Sequence, residues 1–360
     1  MGCKLGISSM SLGWPSAGHS LEHRLDMAKK YGFQGIELAH QEILFIAEHW
    51  KPDNGRNHQS DDEPTAAEIV AARRVRQLCQ DRGLEIICLQ SFTHYDGLID
   101  RTAHARRFST LVQWMRLAHE LGTDMVQIPS NFLGPEHVSD DLDLIVDDLR
   151  RAADLALQQQ PPIRLAYESL CWSTRVDIWE RCWQVVQRVD RPNFGMCLDT
   201  FNIAGRIFAD PTSATGRTPD ADEALRRSVA RLVAGDVDVR KVFYVQVVDA
   251  ERMREPLVQG HAYYDGAQPA RMSWSRNCRL FYGEADRGAY LPVRDIAWAI
   301  LRGLGFRGWV SMELFHRRMS ERSPEVPEEL ARRGALSWAR LVKDMQLSTE
   351  SSNRPHIGSP

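Results

Sequence analysis

The feature that most constrains this chain is an alternation. Eight short β-rich runs are each followed by a stretch of helical periodicity. The runs are KLGISSMSL (4–12), GIELAH (35–40), EIICLQSF (85–92), DMVQIPSN (124–131), IRLAYESL (163–170), NFGMCLDTFN (193–202), KVFYVQVVDAE (241–251) and GWVSMELF (308–315). Helices are expected over 21–31, 66–82, 103–121, 140–158, 178–189, 222–234 and 293–303, with 328–344 after the last run. Glycines in KKYGFQG, QDRGLE, HELGTD and RGLGFRG fit helix C-caps, because glycine reaches the left-handed region without a Cβ clash. Eight strand–helix units favour a closed (β/α)8 TIM barrel of the α/β class over an open doubly wound sheet. No G-x-G-x-x-G follows the first run, which weakens a dinucleotide-binding alternative.

Length enters here as a test of that barrel. The 360 residues exceed a minimal barrel of about 250 residues, and the surplus falls mainly in 41–64, 203–221, 252–291 and 346–360. Three of these stretches follow strands two, six and seven, on the face where such barrels carry their chemistry. The expectation is one barrel domain over 1–345, with an insertion at 252–291 after strand seven and a disordered polar tail over 346–360. Forty-five Lys+Arg against 48 Asp+Glu leave a net charge of −3 and no basic block, so nucleic acid is not an expected partner. No run of 18 apolar residues and no secretory leader pattern appear, so no membrane partner is expected. Gly6 stands where N-myristoylation wants Ser or Thr. A cytoplasmic protein acting on a small molecule is the expectation, with a homo-oligomeric state left open. The seven cysteines are scattered without a C-x-x-C pair, and read as buried thiols rather than disulfides or a zinc site.

Chemistry in such a barrel sits at the C-terminal strand ends. Glu168, Asp199, Gln246 and Glu313 lie near the ends of runs five to eight, which are neighbours around the wall. Any one of these carboxylates could be pairing with a loop Lys or Arg. Three carboxylates and an amide oxygen on consecutive strands are costly to bury without a cation, and they form a hard-ligand set suited to Mg2+ or Mn2+. Glu37, Asp249 and Glu251 are weaker candidates, as salt-bridge formers or supports for the ligands. RMSWSRNCRLFYGE (271–284) places Arg276 and Arg279 beside Ser273 and Ser275, a group suited to a carboxylate or hydroxyls; the alternative is a solvated basic loop, against which Trp274 and Phe281 argue. His94 and His40, at the ends of strands three and two, are acid–base candidates, ahead of His19, His23, His58 and His316. Trp172, Trp179 and Trp183 read as helix-to-barrel packing, with Trp172 also placed to wall a pocket.

The runs KLGISSMSLG, GHSLEHRLDMAKKYGFQGIEL, LQSFTHYDGL, VQIPSNF, LAYESLCWSTRVDIWERCW, PNFGMCLDTFNIAGRIFADPTS, VFYVQVVDAE, QPARMSWSRNCRLFYGE and GWVSMELFHRRMS together resemble the fungal-type 3-dehydroshikimate dehydratases, within the xylose-isomerase-like barrel superfamily. The likeness spans about residues 3 to 345. It implies a hydro-lyase of quinate and shikimate catabolism, which converts 3-dehydroshikimate to protocatechuate with loss of water and uses a divalent metal (Mg2+ or Mn2+, with Co2+ also allowed). The resemblance implies metal ligation by Glu168, Asp199, Gln246 and Glu313, and substrate binding by Ser275 and Arg279. Bacterial relatives can carry a histidine where this chain has Asn202 or Leu170; Asn202 is therefore a substrate-binding candidate, and the base must lie elsewhere. His94 is the first choice for it, with Glu251 and Tyr95 as competitors. Relatives tend to read L-Q-P-F where Leu89, Gln90, Ser91 and Phe92 stand, followed here by Thr93, and an aromatic pair where Ala39 and His40 stand. Two rivals remain at this stage: a metal-dependent sugar isomerase or epimerase with the same ligand set, and a barrel that binds ligand without turnover.

Overall fold

In the computed structural model, which describes residues 2–49 and 65–348, the eight runs form eight parallel strands that close on themselves. They are β1 (Lys4–Ser8), β2 (Gly35–Ala39), β3 (Glu85–Gln90), β4 (Met125–Pro129), β5 (Arg164–Glu168), β6 (Phe194–Asp199), β7 (Val242–Gln246) and β8 (Trp309–Met312). Each pairs with the next, and β8 closes the barrel on β1 from Lys4↔Trp309 to Ile7↔Met312. Nearly every strand residue is buried, as a parallel sheet wrapped by helices requires.

The strands stop short of the expected bounds at their C-terminal ends, where the chain turns into the rim. Residues Ser9–Leu12, expected as strand, form a 3-10 turn. After Gln246 the chain leaves the barrel, and Asp249–Ala250 pairs antiparallel with Arg279–Leu280. Three helices were not anticipated: His40–His49, Thr200–Ile207 and Ala270–Cys278, each in or beside a stretch read as surplus loop. Several of the other helices begin where side chains satisfy free N–H groups. Thr65 and Glu68 form a capping box, Asp100 accepts from Thr102 and Ala103, and Asp141 accepts from Asp143. Residues 50–64, which include His58, and the end of the expected tail beyond 348 lie outside the described residues.

Packing fixes which end of the barrel is open. Ile87, Cys88, Met125, Ala166, Cys197 and Tyr244 form a cluster of their own, with Phe243 and Trp309 against it. Gly6 and Gly35 make room for this plug: a Cβ would come within 2.5 Å of Ile87 Cδ1 at Gly6, and within 2.6 Å of the Trp309 ring at Gly35. With the interior filled there, the C-terminal rim is left for a site. All seven cysteines are buried free thiols, as their scatter implied. Among the described residues no helix is long and apolar enough to cross a membrane.

The insertion at 252–291 is tied down at both ends. Asp249 Oδ1 accepts from the backbone N–H groups of Ala250, Tyr290 and Leu291 at 2.7, 3.1 and 2.9 Å. Elsewhere on the rim, the helix Leu21–Lys30 sends Arg24 inward, where it meets Glu42 at 2.7 Å with both side chains 1% exposed. Arg24 also donates to the carbonyls of Ser9 and His19, so one guanidinium joins the segments that leave β1 and β2. Removing one member of such a pair leaves a buried charge alone. Arg24→Met should lower unfolding free energy by about 3–5 kcal/mol, and Arg24→Met/Glu42→Leu should regain most of it. Urea denaturation of both variants checks this; a single variant within about 1 kcal/mol of the parent would mean that the pair is effectively solvated.

Candidate active site

Alternation along the strands puts one polar layer inside the rim. Leu38, Leu89, Ile128, Tyr167, Leu198 and Val245 belong to the core beneath the helices. Their neighbours Glu37, Gln90, Gln127, Glu168, Asp199 and Gln246 therefore turn inward, and all six are buried. Glu313, just past β8, joins them. Above this floor lies a cavity of about 560 Å3, into which Glu168, Glu313, Gln90, Gln127, Ser275 and Arg279 open. Its walls are apolar: Met10, Trp14, Phe132, Trp172 and Phe315.

The floor is a hydrogen-bonded network around Glu168, Asp199 and Glu313, with a separate Gln246–Glu37 pair beside it. Asn202 Nδ2 donates to Glu168 Oε1 and to Asp199 Oδ2, both at 2.8 Å, and Gln127 donates to the other Glu168 oxygen. Arg279 Nη1 donates to Asp199 Oδ2 at 2.9 Å and Glu313 Oε2 at 3.1 Å, while its Nε donates to Ser275 Oγ at 3.0 Å. Gln246 Nε2 donates to Glu37 Oε2 at 2.8 Å. Gln246 Oε1, Glu37 Oε1 and Gln127 Oε1 are buried without a partner.

The floor thus holds four buried carboxylates, of which Arg279 bonds two, Asp199 and Glu313. Burial, followed by the charge of Asp199, pushes Glu168 up to about 8 against the opposing pull of Arg279. Burial pushes Glu37 up to about 7, with Asp199 adding to it. Asp199 and Glu313 are raised by burial as well, although Arg279 holds both down in part. Among the described residues no three His, Cys, Asp or Glu side chains already converge at ligand spacing; Arg279 stands between Asp199 and Glu313 instead. The surplus negative charge and the unpartnered Gln246 Oε1 nonetheless fit a hard divalent cation, since all the donors are oxygen.

The other sequence candidates divide sharply. His94 lines the cavity with its ring against Phe132 at 4.3 Å, and its Nδ1 lies 3.4 Å from Asn131 Oδ1. Burial lowers its pKa below the ordinary 6.5, with Arg107 lowering it further, so the neutral ring is favoured. Tyr95 is a correction: it is fully buried and its hydroxyl donates to the Asp148 carbonyl at 3.0 Å, under the rim rather than in the cavity. Glu251 is another, because its carboxylate is paired with Arg317 at 2.7 Å, outside the cavity lining. Asn202, expected on the substrate, points both amide hydrogens at carboxylates and lies beneath the lining. Arg279, expected on a substrate carboxylate, is engaged by two protein carboxylates. His40 turns from the cavity onto Trp114 at 4.5 Å. His19 and His23 reach backbone carbonyls, and His316 caps a 3-10 turn. Ser91 and Thr93 do line the cavity; Trp172 does as well, while Trp179 and Trp183 pack in the core.

Gln90 and Gln127 escaped the sequence reading. Each is a lone polar residue near the end of an apolar run, and that pattern was the available signal. Trp14 and Met10 gave no signal, since they follow a strand in a segment that reads as its continuation.

Comparison with known proteins follows the same geometry. Residues 25–341 match the family of xylose isomerase-like TIM barrels. A Neurospora crassa protein named 3-dehydroshikimate dehydratase is 63% identical over 351 residues, covering 97% of this chain and 96% of that one. The solved structure of an IolI protein with a binding zinc atom superposes with a TM-score of 0.65 at 18% identity, over 95% of this chain and 99% of that one. The structure of a probable 3-DHS dehydratase, AsbF, from Bacillus anthracis gives a TM-score of 0.58 at 14% identity, over 93% and 98% of the two chains.

The charge surplus has a measurable consequence in chelated protein. Glu37 and Glu168 have raised pKa values in the folded state, so the native protein holds protons that the unfolded chain, titrating at its ordinary 4.5, has released. Their contribution is therefore complete below that value and is lost as pH rises through about 7 to about 8. The urea midpoint should fall across that window in EDTA, and Glu168→Gln should flatten the fall. A midpoint that rises with pH there would mean that the carboxylates do not share an unsatisfied field.

Proposed function

The chain belongs to the xylose isomerase-like TIM-barrel family, and from that premise we propose that it is a 3-dehydroshikimate dehydratase, a hydro-lyase that yields protocatechuate. The observation that carries the reading is 63% identity, over almost the whole of both chains, to a protein of that name. The cavity agrees with it in kind: apolar walls suited to a six-membered ring stand over a floor of oxygen donors.

The reaction removes one water. A base takes a ring proton made acidic by the ketone, a ring hydroxyl departs with a proton as water, and tautomerisation leaves the aromatic product. Glu168, Asp199, Gln246 and Glu313 would hold a divalent cation, Mg2+ or Mn2+ by their hard oxygen donors and Co2+ as a further fit, which supplies Lewis-acid polarisation of the ketone when bound. Asn202 and Gln127 orient Glu168 for that task, as Glu37 orients the amide of Gln246. His94 is the proton acceptor in this reading. It is the one histidine that lines the cavity among the described residues, and burial favours its neutral, accepting form. Phe132 and Asn131 hold its ring, and Arg107 Nη2 donates to the Thr93 carbonyl at 2.6 Å, pinning the loop beside it. Met10, Trp14, Trp172 and Phe315 keep water from the reacting ring.

Incubation of purified protein with Mn2+ and 3-dehydroshikimate should produce protocatechuate, read by its catechol absorbance, and EDTA should stop the reaction. Sugar interconversion without protocatechuate would assign the barrel to an isomerase or epimerase. His94→Ala should lower kcat by about 10²–10⁴-fold. In the parent, kcat/KM should decline as pH drops through a midpoint below histidine's ordinary 6.5, because protonation removes the acceptor. That limb should vanish in His94→Ala, and parental turnover in this variant would exclude His94 from the chemistry.

A further inference from the structure

Two arginines line the cavity, and they differ in what they already hold. Arg279, 2% exposed, meets Asp199 and Glu313 through one nitrogen and Ser275 through another. Its charge is committed to the floor. Arg276 sits one turn earlier, on the helix Ala270–Cys278 that ends just before Arg279, exposed at the mouth of the cavity. Its Nη1 donates to the neutral Gln268 Oε1 at 2.6 Å, and among the described residues no carboxylate reaches it at ion-pair distance. Partial burial works against its charge, and the field of Asp265 favours it.

The substrate of the proposed reaction carries a carboxylate as well as a ketone and hydroxyls. Placed at the floor, that carboxylate would join Glu37, Glu168, Asp199 and Glu313. A bound divalent cation and Arg279 supply three positive charges, which Glu168, Asp199 and Glu313 alone balance, so the floor does not become positive when loaded even where Glu37 keeps its proton. An anion is stabilised where positive charge is uncommitted, and guanidinium offers a paired set of donors that matches a carboxylate. We propose that Arg276 receives the carboxylate of the substrate at the cavity mouth, which turns the ketone and hydroxyls toward the carboxylate floor. The orientation follows from charge at both ends: the floor offers the carboxylate no net positive charge, and Arg276 attracts it from above. This rests on the dehydratase reading, and it gives the second arginine of the S-R-N-C-R segment a different task from the first: Arg276 binds the ligand and Arg279 orders the floor.

The test compares two aromatic ligands that differ only in the carboxylate, protocatechuate and catechol, by isothermal titration of the metal-loaded protein. The parent should bind protocatechuate more tightly. In Arg276→Gln, protocatechuate affinity should fall about 10- to 100-fold and catechol affinity should hold, the factor a charge-assisted hydrogen bond supplies. KM for 3-dehydroshikimate should rise by a similar factor with kcat little changed, because the lost contact is made equally in ground and transition states. Arg276→Lys, which keeps the charge without the fork, should fall between. The melting temperature should be unchanged, since the one protein partner of Arg276 is a neutral amide. Retention of the protocatechuate preference with parental KM in Arg276→Gln overturns the inference, and so does an equal loss for both ligands. Parent protein that fails to turn over 3-dehydroshikimate yet loses its protocatechuate preference in Arg276→Gln overturns the dehydratase reading and leaves the carboxylate site standing.

Discussion

Three buried carboxylates around one guanidinium, Glu168, Asp199 and Glu313 about Arg279, with Glu37 buried beside them, are the constraint around which the barrel mouth is arranged. Each buried ion costs several kcal/mol of desolvation unless something in the protein answers it. Part of the answer comes from neutral donors: the amides of Gln127, Asn202 and Gln246, and the backbone N–H of Phe201 on Asp199. The larger part comes from Arg279, which reaches the floor from the far end of an insertion. That explains why the insertion is so firmly held. Asp249 gathers three backbone N–H groups where the insertion starts and ends, and the two-residue ribbon sets Arg279 directly opposite Ala250. An insertion free to move would leave Asp199 and Glu313 without their counterion.

The same constraint orders the cavity from bottom to top. The plug of Ile87, Met125 and Tyr244 keeps water from entering below the carboxylates. The oxygen-rich floor lies above the plug, aromatic walls stand on the floor, and His94 with Arg276 line the cavity above them. Low dielectric at the floor strengthens every charge interaction there, so the carboxylates and Arg279 are set against one another rather than against solvent. Departures from the family pattern at Ser91 and Thr93 fall on the cavity wall, whereas His40 has turned into packing against Trp114. Ala39, beside His40, lines the cavity too, so of these departures His40 alone faces away from the space a ligand would fill.

Much of this was legible in the chain, for a simple reason. Strand and helix periods are local, so eight β-rich runs separated by helical stretches announced the barrel, and strand ends announced Glu168, Asp199, Gln246 and Glu313. What escaped were features whose cause lies far away in sequence. The helix Thr200–Ile207 directly follows Asp199, and its first residues read as a continued strand because Thr200 and Phe201 are of types common in strands. Tyr95 and Glu251 looked available for chemistry because proximity to a strand end is visible in sequence. The partners that occupy them, Asp148 and Arg317, are 53 and 66 residues away.

By itself, then, the sequence determined the architecture, the polar layer at the strand ends and the family to which its motifs belong. These follow from periodicity and residue type, which act within a few residues. Only the tertiary structure decided which charges meet. Arg276 and Arg279 are three positions apart and chemically identical, yet one is buried against Asp199 and Glu313 and the other faces the cavity with its charge uncommitted. The difference arises because the chain passes from helix to ribbon between them, and a change in backbone direction of that kind sends neighbouring side chains into environments of opposite charge balance.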